Sequence, residues 1–249
     1  MNKTDLYFTP SEVQDADLAE KLVLVIDVLR AATTTAVALA NGAREIIPVV
    51  SIDAAGELKQ KLGKEHILLC GERDGVKIEG FDLGNSPAEY ESKVVKDKAL
   101  IFCSTNGSKA MLKGGQGALC LVGGLVNLSE ILRFVLREKK DLAIICSGSA
   151  GKFSFEDSVV GGKYIAELEK KLGRELDKND GAKAALYLFR REEADLYSAL
   201  RNSFHGKYLV TLGFEADIRE AAKLDSVRVV PLLSGGRIVR YQPETVAAQ

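Results

Sequence analysis

Several absences narrow what this chain of 249 residues can do. It has no surplus of positive charge: 34 Lys and Arg stand against 35 Asp and Glu, for a formal net charge of −1. Non-specific nucleic-acid binding depends on a basic surplus that displaces counterions, so nucleic acid is not an expected partner. No apolar run approaches the roughly 18 residues that a membrane-spanning helix requires, so no membrane association is expected. The first stretch, MNKTDLYFTPSEVQDADL, carries acids and lacks an apolar segment, and does not read as a signal peptide. None of the four cysteines forms a CxxC pair: Cys70, Cys103 and Cys146 end aliphatic runs and Cys120 lies inside another. They read as reduced, buried strand cysteines of a cytoplasmic protein. The only two histidines, His66 and His205, sit in no HxxxH or HExxH context and read as structural; there is no zinc pattern.

What is present is a 46% apolar composition, enough for a substantial core, over a length that fits one large domain spanning residues 1–249. Short aliphatic runs alternate with longer amphipathic ones. KLVLVIDV (21–28), REIIPVV (44–50), HILLC (66–70), ALIFCS (99–104), ALCLVG (118–123) and LAIICS (142–147) read as strands. Between them, 31–42, 51–63, 108–112, 127–139 and about 156–172 read as helices, with Ser51 and Ser86-Pro87 as helix starts. The strands are continuously apolar rather than alternating, which is the pattern of strands covered on both faces. The expected fold is therefore α/β, a three-layer α/β/α arrangement around a mainly parallel or mixed sheet. Residues 178–223 read as mostly helical, either a lid, an oligomer face or simply a solvated helix surface. Two strands are expected around Ser234-Gly235-Gly236.

Ligands of open α/β sheets collect at the carboxyl ends of strands. Nearly every predicted strand is followed by glycine, small hydroxyls, or an acid with a base. Asp27 and Arg30 follow the first strand, and Glu72-Arg73 follows HILLC. Ser104-Thr105-Asn106-Gly107-Ser108-Lys109 follows ALIFC, and Ser147-Gly148-Ser149-Ala150-Gly151-Lys152, then Glu156-Asp157, follows LAIIC. The two glycine-hydroxyl loops suit an anion, since backbone can approach closely and a helix N-terminus presents free N–H groups. The competing reading is ordinary helix capping. Asp27, Glu72, Asp82, Glu156 and Asp157 are hard oxygen donors suited to Mg²⁺. Arg30 and Arg73 suit bidentate binding of phosphate or sulfonate, and structural ion pairs within Asp27–Arg30 and Glu72–Arg73 are the alternative.

Known phosphate chemistries are excluded by what is missing. Haloacid-dehalogenase-like phosphatases need a second Asp two residues after the first, where this chain has Leu29. Cys103 and Cys146 each lie six residues before a lysine, not the arginine of cysteine-dependent phosphatases. No P-loop exists, because Cys146 stands where its first Gly belongs, and no GxGxxG follows the first strand.

The segments DVLRAATTT (27–35), GERDGVKIEGFDLGNSPAEY (71–90), STNGSKAM (104–111) and GKFSFEDSVVGG (151–162) resemble, in content and order, the 2-phosphosulfolactate phosphatase family. The resemblance implies a three-layer α/β/α fold and a Mg²⁺-dependent phosphatase. Such an enzyme hydrolyses 2-phospho-3-sulfolactate to 3-sulfolactate and phosphate on the way to coenzyme M. Carried over by position, the family motifs fall on Asp27 and Arg30, Glu72 and Arg73, Asp82, Asn85 and Ser86, Ser104 to Gly107, and Glu156 with Asp157. On this reading Asp27, Arg30, Glu72, Arg73 and Asp82 are the catalytic candidates. Arg30, Arg73, Asn85, Ser86, Ser104, Thr105, Asn106, Gly107, Ser108 and Ser147 bind the substrate, with Lys109 and Lys152 weaker candidates. Asp27, Glu72, Asp82, Glu156 and Asp157 are the metal candidates. The expected partner is a small anionic phosphorylated substrate, with a homo-oligomer as an open alternative to a monomer. Rival readings are a phosphatase for another phosphorylated hydroxy-acid and a non-catalytic anion-binding protein. The stretch 71–90 is expected to bring Asp82 back beside Glu72, with residues 74–79 as a solvated excursion.

Overall fold

The computed structural model describes residues 1–63 and 65–242. The chain opens with strand β1 (Lys3–Tyr7), which sequence reading missed, and continues into β2 (Leu22–Ile26). Every residue of β2 is buried, as the unbroken apolar run LVLVI requires. Helix α1 (Ala31–Ala40), strand β3 (Glu45–Val49) and helix α2 (Ile52–Leu62) follow. Ser51 caps α2 by accepting a hydrogen bond from the Ala54 N–H at 3.1 Å. Strand β4 (Ile67–Arg73) runs past the expected HILLC to include Glu72 and Arg73, and turns into the short β5 (Val76–Lys77). Beyond the short helix α3 (Ser92–Val95), strand β6 (Ala99–Cys103), helix α4 (Gly107–Gly114), strand β7 (Leu119–Val122), helix α5 (Leu128–Glu138), strand β8 (Leu142–Cys146) and helix α6 (Phe155–Leu172) alternate.

The expected helical segment begins after β9 (Asp177–Lys178). It comprises α7 (Asp180–Glu192), α8 (Leu196–Asn202), α9 (Phe204–Thr211) and α10 (Glu215–Ala221). The side chains of Asn179, Asp195 and Ser203 accept N–H bonds at the starts of α7, α8 and α9. Polar caps therefore cut one amphipathic stretch into several short helices. The hairpin of β10 (Pro231–Ser234) and β11 (Arg237–Arg240) closes the described chain, turning at Gly235-Gly236.

The strands form one mixed sheet in the order β5-β4-β6-β3-β11-β10-β7-β2-β8-β1-β9. The block β7-β2-β8-β1-β9 is parallel throughout, as is β4-β6-β3, and the β10–β11 hairpin joins the two blocks by antiparallel pairing. Alternate residues of β2 enter two different cores. Leu22, Leu24 and Ile26 pack with apolar residues of α5, α6 and α7, whereas Val23 and Val25 pack with α1 and α4. The sheet is thus sandwiched between helices, and the α/β expectation is met.

Candidate active site

The segments that follow β2, β4 and β6, with the loop after β8, line one cavity of about 270 Å³, and α9 supplies a further wall. Asp27 lies one residue beyond β2 and is only 6% exposed. Gly107 packs against it so closely that a Cβ there would stand 2.5 Å from Asp27 Oδ2. Burial pushes the Asp27 carboxyl up to about 6, the charges of Glu72 and Glu156 add to that, and His205 and the Ala31 N–H oppose it.

Arg30 enters the cavity from the start of α1 and is buried. Its Nη1 lies 3.2 Å from Asp217 Oδ2, its Nη2 donates to the Gly75 carbonyl at 2.6 Å, and its guanidinium lies 4.5 Å over the Phe214 ring. The other oxygen of Asp217 accepts from the Ser86 hydroxyl at 2.7 Å. Two of the five guanidinium donors are thus committed to holding the side chain. Asp217, which holds Arg30, is absent from the sequence-based candidates. It lies on α10, 187 residues from its partner, and no local pattern marks it.

Glu72 accepts from the Thr105 N–H at 2.7 Å, the Gly75 N–H at 2.9 Å and the Thr105 hydroxyl at 3.2 Å, tying the β4 end to the loop before α4. Glu72 and Arg73 pair with Lys77 and Val76 across a two-residue turn, Asp74-Gly75, in which both φ values are positive (51° and 76°). Asp-Gly is one of the dipeptides that such two-residue hairpin turns favour. The segment expected to be a solvated excursion therefore delivers the Gly75 carbonyl to Arg30, and Asp74 and Gly75 line the cavity. The hairpin is also fastened to α9, because the Tyr208 hydroxyl donates to the Asp74 carbonyl at 2.9 Å.

His205, expected to be structural, lines the same cavity from α9. Its Nδ1 lies 3.4 Å from Glu156 Oε1 in the first turn of α6. Burial works against charge on both groups, but their hydrogen bond and mutual attraction outweigh it: His205 is raised and Glu156 is lowered. Phe204 and His205 also border an adjoining cavity lined by Phe153, Phe155 and Glu156.

The cavity thus brings together six of the candidates: Asp27, Arg30, Glu72, Asn85, Thr105 and Asn106. A second group lies behind it as braces. Asp157 accepts from the Val28 N–H and the Ser147 hydroxyl, both at 2.9 Å. Ser104 and Ser108 bond reciprocally, each N–H to the other's hydroxyl, which is the capping reading of that loop. Ser86 serves Asp217 rather than capping the short turn it opens.

Two expectations need correction. Arg73 does not line the cavity: it donates to the Glu72 and Val50 carbonyls and to Cys103 Sγ. Asp82 does not return beside Glu72. Its carboxylate accepts from the Leu69 N–H at 2.8 Å and pairs with Lys59 at 3.2 Å. The β5 hairpin supplies the turn that the expectation assigned to the return path, and residues 82–83 pass alongside β4 instead. All four cysteines are free and buried, and burial raises their thiols.

Among the described residues no three His, Cys, Asp or Glu side chains converge as a metal cage. Mg²⁺ needs no such cage, since it takes one or two carboxylates and completes its shell with water and phosphate oxygens. The donors present fit that requirement. Asp27 is a buried carboxylate crowded by others, and Asn85 Oδ1 is a buried oxygen without a hydrogen-bond partner among the described residues.

Comparison with known proteins gives the class, a hydrolase of phosphate esters. A family model described as 2-phosphosulpholactate phosphatase matches residues 7–236. The chain belongs to this family and is a phosphoric monoester hydrolase. A probable 2-phosphosulfolactate phosphatase of Caldanaerobacter subterraneus is 40% identical over 94% of this chain and 96% of its own length. One of Carboxydothermus hydrogenoformans is 39% identical over 95% and 96%. One of Thermotoga maritima is 37% identical over 87% and 90%. No helix among the described residues is long and apolar enough to cross a membrane.

Proposed function

We propose that the chain hydrolyses 2-phospho-3-sulfolactate to 3-sulfolactate and phosphate, with Mg²⁺ as cofactor. The observation that carries this reading is the buried Arg30, held by Asp217 and Gly75 beside the carboxylate of Asp27 in one cavity. A pre-oriented guanidinium recognises phosphoryl oxygens bidentately at little further entropic cost. Thr105 and Asn106 face the same space, where backbone and side-chain donors can share the substrate's negative charge. Asp27 would hold the metal, with Glu72 and the Asn85 oxygen beside it. When bound, Mg²⁺ supplies Lewis-acid stabilisation of charge on the phosphoryl oxygens. Four buried free cysteines support a cytoplasmic setting.

The experiment is phosphate release from a panel of phosphorylated hydroxy-acids, with and without a sulfonate, in Mg²⁺ and in EDTA. The sulfonated ester should have the highest kcat/KM, and EDTA should abolish turnover. Equal turnover of esters lacking sulfonate would move the assignment to another hydroxy-acid. Binding without turnover of any ester would leave an anion-binding protein.

A further inference from the structure

We propose, resting on the phosphatase reading above, a further activity: hydrolysis of phosphorylated 2-hydroxy-acids that carry an aromatic side chain, with that side chain seated in the cavity adjoining the active site. The adjoining cavity measures about 510 Å³ and shares four lining residues, Ser149, Ala150, Phe204 and His205, with the active-site cavity. The two spaces meet across this common rim, so a substrate whose phosphoryl group lies by Arg30 has the second space beside it. A three-carbon acid that carries only small anionic groups gains nothing from an apolar wall, because charge is costly to bring there. An aromatic side chain gains from the same wall through buried area and ring packing.

The second cavity is built for such a group. Phe155 opens α6, Phe204 opens α9, and Phe153 lies just before α6. Phe153 is 48% exposed and Phe204 85%, a large apolar surface that folding leaves in water and that a ring lying between them covers. Phe153 is held in place, its ring edge-on to Phe8 with centroids 5.1 Å apart. The rim is equally fixed. Ser149 and Lys152 exchange backbone hydrogen bonds of 2.9 and 3.0 Å across a turn in which Ala150 and Gly151 have positive φ (50° and 73°). The Ala150 N–H donates to Asn106 Oδ1 at 3.1 Å, which ties this turn to the loop before α4 in the active-site cavity. Lys152 lines the second cavity among the phenylalanines, and a cation there suits a small anionic molecule better than an apolar segment of another protein.

The step is an ordinary hydrolysis. The oxygen of water bonds to phosphorus, and the P–O bond to the ester oxygen breaks with its electron pair on that oxygen. A proton of the water ends on the hydroxyl so formed. The products are the aromatic hydroxy-acid and inorganic phosphate.

The test measures phosphate release in Mg²⁺ from 2-phospho-3-phenyllactate, 2-phospholactate and 2-phospho-3-sulfolactate. In wild type, kcat/KM for the phenyl ester should exceed that for phospholactate by about tenfold or more, the least that a well-fitted apolar group adds. Phe153 lines the second cavity and not the first. Phe153→Ala should therefore lower kcat/KM for the phenyl ester by about tenfold and leave the other two esters within about twofold of wild type. Phe204→Ala should also lose more on the phenyl ester than on the other two, and it carries the test alone if Phe153→Ala does not fold. A phenyl ester turned over no better than phospholactate, or a preference for it that survives both substitutions, would overturn the proposal and leave the phosphatase reading standing. Wild type inactive on all three esters would overturn that reading, and the proposal with it.

Discussion

At the scale of single residues, Arg30 and Asp27 decide the site, and they behave differently from the local ion pair that their spacing suggests. Arg30 bonds Asp217 and the Gly75 carbonyl and stacks on Phe214. Lysine would keep the charge but lose the fork and the stack. Arg30→Lys should therefore lower kcat/KM by about 10²-fold, in line with the loss of a pre-organised donor, and phosphate-release kinetics would check it. Asp217→Ala leaves a buried cation without its partner, a change that typically costs about 3–5 kcal/mol. Thermal denaturation should show that loss even without substrate. Asp27 works the other way. It is buried and repelled by Glu72 and Glu156, so its charge opposes folding in the metal-free protein. In EDTA, Asp27→Asn should have a higher Tm than wild type, and a lower one would mean that this carboxylate is compensated. Sequence reading found Asp27, Arg30 and Glu72 because charged residues at the ends of apolar runs are conspicuous. It missed Asp217 and His205 because their significance arises only when helices far along the chain fold over the sheet.

At the scale of elements, the β4–β5 hairpin explains why part of the stretch 71–90 was misread. The continuous apolar runs revealed the buried strands, and Ser51 caps the helix it was expected to begin, whereas Ser86 does not cap the short turn it opens. The Asp74-Gly75 turn signal lies among charged residues, a composition that a solvated loop shares. In the structure both turn residues adopt positive φ, and a Cβ on Gly75 would come within 2.6 Å of Leu212 Cδ1 beside α9. Gly75→Ala should thus destabilise by roughly 1 kcal/mol or more through backbone strain, before the contact with Leu212 is counted. It should also weaken the hold on Arg30, so the Tm and the KM for substrate should both worsen. A variant with wild-type values for both would show that the hairpin does not position the site.

At the scale of the whole molecule, the alternation of buried strands and amphipathic helices specified an α/β sandwich. The sheet's outer members were less legible. β1, β5 and β9 are short or polar, and nothing in their own residues distinguishes them from loops. The segment 178–223 read as a lid, an oligomer face or a solvated helix surface, and the structure lays part of it over the sheet, where α9 lines the cavity and Asp217 of α10 holds Arg30. A site assembled from β-strand ends and a distant helical cover should gain stability from any ligand that bridges its carboxylates. Adding Mg²⁺ to the metal-free protein should raise the Tm, by an amount corresponding to about 2.7 kcal/mol at one hundred times the dissociation constant. The gain should vanish in Asp27→Asn, and an equal shift in that variant would place the ion elsewhere.

The most direct test of the account is phosphate release from 2-phospho-3-sulfolactate in Mg²⁺ by wild type and Asp27→Asn measured side by side. The account predicts rapid release by wild type and a loss of about 10³-fold or more in a variant that remains folded, the scale expected when a group that stabilises transition-state charge is removed. Wild-type turnover by Asp27→Asn would contradict it.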